Sequence, residues 1–409
     1  MLLARILSSA FRWGELTIID AHGNRHRFTG EAGLTSTIRL HDPRLHRRLA
    51  ISPDLAFGEA YVDGTLTIEE GDLIDFLAIA VANKYSLDQH WSQRLKKSAK
   101  KSFKNLAQYN STFRAQQNVA HHYDLSGRLY DLFLDGDRQY SCAYYQYPQD
   151  SLERAQDNKK RHIAAKLVLE PRMHVLDIGS GWGGLAISLA QRADVEVTGV
   201  TLSEEQHKIS NERARNAGLS DRVRFLLKDY RDLSGEFDRI VSVGMFEHIG
   251  VTHYGEYFRQ CHDLLSPNGV ALLHSIGRSS GPGVTAAWIR KYIFPGGYSP
   301  ALSEMIPFIE KSGLVMTDVE VLRLHYAETL KEWRRRFVQN WEDVRSLYDE
   351  RFCRMWNFYL ADSEAVFRYG DHVVYQVQLA RNHEAVPLTR DYIYHWEQNG
   401  TQDQRPAAA

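Results

Sequence analysis

Residues 175–190 read VLDIGSGWGGLAISLA, an apolar run that ends in an aspartate and then meets glycines at 179, 181, 183 and 184. This is the pattern of a buried strand that turns sharply and enters a helix. The bare backbone of the turn lets a ligand approach closely. The same alternation follows downstream. VEVTGVTL precedes SEEQHKISNERARNAG, and VRFLLKDY is followed by FDRIVSVG, the helix YGEYFRQCHDLL and the strand GVALLHSI. Repeated strand–helix units predict an α/β fold with a parallel, doubly wound sheet, and VVYQVQLAR near the end is expected as a late antiparallel strand.

The chain is 409 residues long, too long for one ordinary core. The expected division is a smaller α+β accessory domain at 1–90, a basic linker at 91–120, the α/β domain at 121–395 and a loose polar tail at 396–409. The accessory domain is open to lipid or dimer contact. In the linker, RLKKSAKKSFK carries Arg94, Lys96, Lys97, Lys100, Lys101 and Lys104 with no acid among them. It is read as a solvated face or as a patch for anionic lipid headgroups. The formal net charge is −1, so bulk charge calls for no polyanion, and no nucleic-acid partner is expected. Three widely spaced cysteines without a CxxC pair suit a reducing compartment and suggest no metal site. No apolar run reaches the ~20 residues needed to cross a bilayer, so a cytoplasmic protein is expected.

Gly179, Gly181 and Gly184 satisfy G-x-G-x-x-G, which makes a nicotinamide-dependent oxidoreductase a rival. Asp177 argues against it, because a carboxylate at this strand end repels a pyrophosphate and suits a cationic ligand such as S-adenosylmethionine. The second strand ends in Thr201 and Ser203 where a ribose-binding acid would be expected. Ser203 and Gln206 also form a capping box for the next helix, and that role and ribose contact can coexist. Asp229, after the third strand, is a candidate acceptor for the adenine amine or a plain turn acid.

Taken together, VLDIGSGWGG, GVTLSEEQ, SVGMFEHIG, LLHSIG and YIFPGGY resemble the cyclopropane-fatty-acyl-phospholipid synthases, which are class I methyltransferases. HYDLSGRLYDLFLD, YSCAYY and RMWNFYLADSEAVFR add to the resemblance, which covers about 115–385. It implies transfer of the methyl of S-adenosylmethionine to a cis double bond of an unsaturated phospholipid in the bilayer. A carbocation forms, bound bicarbonate removes a proton, and the ring closes. By motif, the cofactor is expected at Tyr140, Ser141, Asp177, Gly179, Gly181, Gly183, Thr201, Ser203, Gln206 and Asp229. The bicarbonate is expected at Cys142, Glu247, His274, Ile276 and Tyr326. Tyr140, Tyr144, Phe246 and Tyr326 offer aromatic faces to the cation, at ~0.5–2 kcal/mol each. Residues 288–305 are expected to cover the acyl channel, with an aromatic face suited to a bilayer interface or packed as a roof. Peripheral contact with the inner face of the membrane is expected, and a homodimer is left open.

The chain departs from the pattern at Ser363, which stands where many members carry a cysteine. That keeps a branched or methylene product as an alternative to the ring. A non-catalytic lipid-binding protein is the remaining rival, disfavoured by retention of Glu247, His274 and Tyr326.

Overall fold

The computed structural model describes residues 2–89 and 126–399. The basic run and the residues after 399 lie outside the described residues. Two compact units emerge, and neither is continuous in sequence. One holds residues 2–89, 284–295 and 326–372; the other holds 126–283, 296–325 and 373–399. These boundaries differ from the division expected at 90 and 120.

The first unit is built on a four-stranded sheet of β1 (Trp13–Ile19), β2 (Arg25–Thr29), β3 (Glu31–Leu40) and β4 (Leu66–Glu70), in the order β2-β1-β3-β4. A hairpin joins β1 and β2, which pair antiparallel. The helix Glu350–Tyr369 belongs here because its aromatic side and its arginines find partners on the N-terminal helices. Arg354 Nε donates to the Tyr61 carbonyl at 2.9 Å, and Asn357 Nδ2 donates to the Tyr61 hydroxyl at 3.1 Å.

Trp288 is buried in this unit, its ring 4.7 Å from that of Phe358 and packed against Gly58, where a Cβ would lie 2.3 Å from the indole. Tyr292 donates to Glu59 at 3.0 Å, and Phe294 packs on Tyr359 at 5.8 Å. The aromatic face expected at a bilayer interface is therefore spent on packing. The stretch 288–305 is also not one cover, since it divides between the units after 295.

The second unit carries β5 (His174–Ile178), β6 (Glu196–Thr201), β7 (Val223–Leu227), β8 (Phe237–Val243), β9 (Leu265–Arg278), β10 (Val315–Leu322) and β11 (His372–Ala380). Their order is β10-β11-β9-β8-β5-β6-β7. β7, β6, β5, β8 and β9 run parallel, and β10 pairs antiparallel with β11. The expected α/β class and the late antiparallel strand are both present.

Side chains alternate between the two faces of this sheet. Leu176, Ile178 and Leu273 join one core with Tyr254, Phe258 and Met305; Val175, Val241 and Leu272 join the other with Ile163 and Leu185. Asp177 and His274, each two residues beyond a member of the second core, share its face.

Residues 396–399, expected as loose tail, complete the helix Asp391–Asn399. Glu397 is buried and bonds His162 Nδ1 at 2.6 Å, so a long-range hydrogen bond orders what local polarity marked as tail.

Candidate active site

The carboxyl ends of β5, β6, β7 and β8 open onto one cavity of about 170 Å³. This is where ligands bind in open parallel sheets. Gly179, Gly181 and Gly183 have φ of 82°, 54° and 84°, the left-handed region that glycine adopts without strain. At Gly181, which lines the cavity, an added Cβ would meet no protein atom within 4 Å. Any side chain there would occupy open space that a ligand can use.

Tyr140, Ser141, Asp177, Gly179, Gly181, Thr201, Gln206 and Asp229 all line this cavity. Gly183 and Ser203 are not among its lining residues. Gly183 packs instead, because a Cβ there would lie 2.6 Å from the Phe225 ring, and it is the N-cap of the helix Gly184–Ala193. Ser203 caps the helix Glu204–Asn216, accepting from Gln206 N at 3.3 Å. The Thr201 hydroxyl donates to Gln206 Oε1 at 2.8 Å. Asp229 accepts from Arg231 through both oxygens, at 3.0 and 2.7 Å, so a ligand amine must share it. Trp182, Met245 and His248 also line the cavity and were not singled out from the sequence. Trp182 lies inside the glycine motif, which was signal enough to include it.

Asp177 is 2 % exposed and its Oδ2 has no hydrogen-bond partner among the described residues. Burial pushes its carboxyl up to about 7, against the opposing field of Lys159. A buried acceptor without a donor at a ligand cavity suits an incoming cationic group.

Beside the cavity, Glu247 sits in the turn Phe246–His248 after β8. Its Oε1 accepts from Ile276 N at 2.6 Å, and its Oε2 has no partner among the described residues. Burial raises its carboxyl to about 7. The carbonyl of His274 accepts from Gly244, a cavity residue, at 2.9 Å. Burial lowers the imidazole to about 3, so His274 is neutral at ordinary pH. Gln376 Nε2 donates to its Nδ1 at 3.1 Å, which leaves the ring proton on Nε2. The partner that orients His274 is thus Gln376, 102 residues away. Ile276 acts here through its amide, already given to Glu247. Burial drives the Cys142 thiol upward, and it donates to the Ala143 carbonyl at 3.3 Å. It remains a protonated, poor nucleophile.

Tyr326 and Ser363 lie in the other unit. The Tyr326 ring packs on Phe367 at 4.8 Å, and Ser363 is one helical turn before Phe367 on the same helix. Two rings expected to face a cation are engaged elsewhere. Tyr144 is stacked between His162 and His325 at 4.2 and 4.9 Å, and Phe246 is fully buried against Tyr254 at 4.3 Å.

Comparison with known proteins decides the family. The sequence model described as "Mycolic acid cyclopropane synthetase" matches residues 110–377. The cyclopropane-fatty-acyl-phospholipid synthase of Escherichia coli K12 is 40% identical over 347 residues, spanning 85% of this chain and 88% of that one. The chain belongs to the cyclopropane-fatty-acyl-phospholipid synthase family. It is a methyltransferase that uses S-adenosylmethionine and acts on lipid. A tuberculostearic acid methyltransferase of Mycobacterium tuberculosis H37Rv is 37% identical, over 84% of this synthase-family chain and 82% of its own. A mycolic acid cyclopropane synthase crystallised with SAH and CTAB superposes with a TM-score of 0.62 at 32% identity, over 66% of this chain and 99% of that one. Membership retires the oxidoreductase and non-catalytic alternatives.

For this synthase-family chain, Ser363→Ala is expected to retain most turnover and full cofactor binding. Direct methyl transfer needs no covalent enzyme intermediate, and Ser363 sits half-buried within a continuous helix. Steady-state kinetics of a folded variant checks this. A folded variant that binds cofactor and forms no product contradicts the direct transfer.

Proposed function

We propose that this enzyme methylates a cis double bond in a phospholipid acyl chain and closes a cyclopropane ring, with bicarbonate as the base. The observation that carries it is Glu247 Oε2, a buried oxygen with no partner among the described residues, in a carboxyl poised near 7 next to the cavity. The cavity has the features that S-adenosylmethionine needs: an acceptor at Asp177 and an open glycine turn. Tyr140, Ser141, Asp177, Gly179, Gly181, Thr201, Gln206 and Asp229 would hold it. When bound it supplies an electrophilic methyl group.

An alkene is a weak nucleophile, so the residues must hold the reactants in line and dry; positioning contributes several kcal/mol, up to ~7–11. His274 presents Nε2–H as a neutral donor. Protonated Glu247 presents Oε2–H as a second, so an oxyanion placed between them meets donors rather than a like charge. The pair is suited to binding bicarbonate and leaving it basic. An acyl chain anchored in a bilayer requires contact with the membrane surface, and among the described residues no helix is long and apolar enough to cross one.

The test is incubation with unsaturated phospholipid vesicles and methyl-labelled S-adenosylmethionine, in degassed buffer and with bicarbonate restored. Acyl chains are then hydrogenated and weighed by mass spectrometry. A chain heavier by one CH₂ that resists hydrogenation as a ring, formed only with bicarbonate, supports the proposal. A branched chain formed without regard to bicarbonate supports methylation without closure, the reading favoured by Ser363 and the similarity to the tuberculostearic acid methyltransferase.

A further inference from the structure

Lys159 is fully buried in the helix Leu152–Lys166. Its Nζ donates to Gln139 Oε1 at 2.6 Å and to Ser141 Oγ at 2.7 Å, both on cavity-lining residues. Among the described residues it makes no ion pair with a carboxylate. A fully buried ammonium is costly even with Asp135 and Asp137 as opposing charges nearby, so it needs a reason to be there. Holding the wall is an insufficient reason. Gln156, one turn earlier on the same helix face, already holds that backbone, donating to the carbonyls of Gln139 at 3.2 Å and Ser141 at 3.0 Å. A neutral side chain at 159 would have done as well mechanically.

What a neutral residue lacks is the field. Lys159 is one turn before Ile163, whose side chain packs in the core on one face of the sheet with Val175 and Leu272. Strand alternation aims Asp177 and His274 at that same face. The other groups acting on the ammonium lie outside the cavity lining. Asp135 accepts from the amides of Gln139 and Asp137, at 2.8 and 3.1 Å. Asp137 is paired with Lys160 at 2.7 Å and with Arg213. Cys142 and His274 are neutral, as described above. Among these acids Asp177, with its unpartnered Oδ2, is the one that lines the cavity, and the field of Lys159 reaches it.

We propose that Lys159 is a positioning residue that acts through Asp177: its buried ammonium grips the Gln139–Ser141 wall and keeps the Asp177 carboxylate charged for the cationic amino-acid end of S-adenosylmethionine. This rests on assigning the cavity to that cofactor. Burial also lowers Lys159 itself to about 8, so it is still mostly charged at pH 7. Its field opposes the burial that pushes Asp177 up. Removing it moves the loss of Asp177 charge to higher pH.

The experiment is titration calorimetry with S-adenosylhomocysteine from pH 5.5 to 8.5, on the full chain without lipid or bicarbonate. Wild type, Lys159→Met, Asp177→Asn and the double variant are compared (pH limits chosen to bracket about 7). Wild-type affinity is expected to fall as pH drops through about 7. Lys159→Met should bind on the order of tenfold more weakly at pH 7, with its fall displaced to higher pH. In the Asp177→Asn background the same substitution should cost little. An undisplaced midpoint, or an equal loss in both backgrounds, marks a merely structural prop and overturns the proposal. If Lys159→Met does not fold, Lys159→Arg replaces it. A wild-type midpoint with the charge retained supports the proposal, and a displaced one overturns it. A wild type that binds no S-adenosylhomocysteine overturns the cavity assignment as well. Failure of ring closure alone leaves this binding measurement unchanged.

Discussion

Asp177→Asn is expected to weaken S-adenosylhomocysteine binding by about one to two orders of magnitude, the ~1.5–3 kcal/mol of a hydrogen bond to a charged group. Asparagine keeps the volume, so the loss reports charge and not packing. The carboxylate sits at the end of β5, in register with Gly199 on β6 and Val241 on β8, and it is almost wholly removed from water. Wild-type affinity should rise with pH through about 7 and then level, while that of the variant stays flat across the same range. Stability should move the other way. A carboxyl raised from 3.8 to about 7 in the folded state favours the protonated form. Its contribution to stability is fully present below the unfolded value and is lost as pH rises toward 7. Asp177→Asn should therefore melt higher than wild type at pH 8, with the gap closing toward pH 4. Calorimetry and thermal melts on the same samples check both signs. Unchanged binding would remove Asp177 from the cofactor site.

Glu247→Gln is expected to lower turnover by about tenfold, the scale of one weakened hydrogen bond, because the amide keeps an N–H donor for the oxyanion. A loss of roughly 10²–10⁴ would mark Glu247 as the proton-transfer group itself, and S-adenosylhomocysteine binding stays within a few-fold in either case. The amide can still accept from Ile276 N, so the turn after β8 should keep its form. What disappears is the exchangeable proton on the second oxygen. The pH dependence of kcat at saturating cofactor and bicarbonate separates two roles. If protonated Glu247 holds the oxyanion, kcat falls as pH rises through the value of this carboxyl, about 7 before the ion binds and higher with it. If ionised Glu247 is itself the base, kcat rises through that value and ignores added bicarbonate. His274, held neutral by burial, contributes no step to either profile in this range. A rising, bicarbonate-independent profile would sink the oxyanion proposal and leave the methyltransferase assignment untouched.

Much of the site was readable because it is local. The strand–helix alternation, the glycine turn, the Ser203 cap and the positions of Asp177 at the end of one strand and of Asp229 and Glu247 just beyond two others all follow from periodicity and turn chemistry over about ten residues of chain. Gly183 lies off the cavity lining for a related reason. A motif marks a glycine without saying whether ligand or protein needs the space, and here the Phe225 ring takes it. Tyr144 and Phe246 were aromatic and near the site in sequence, yet their faces are already stacked.

The sequence by itself determined the fold class, because backbone hydrogen bonding and side-chain alternation repeat over short stretches, and its motifs carried the resemblance that named the family and the residues at the mouth of the sheet. The tertiary structure alone decided what those residues can do. Gln376 orients His274, Lys159 reaches Gln139 and Ser141, and Glu397 orders the C-terminal helix through His162. The aromatic stretch around Trp288 is likewise turned inward onto Gly58 and Phe358. The physical reason is that burial, and the pairing it enforces, depends on neighbours brought from far along the chain. Removal from water places Asp177 and Glu247 near 7 and His274 near 3, and no local pattern of residue types carries that quantity.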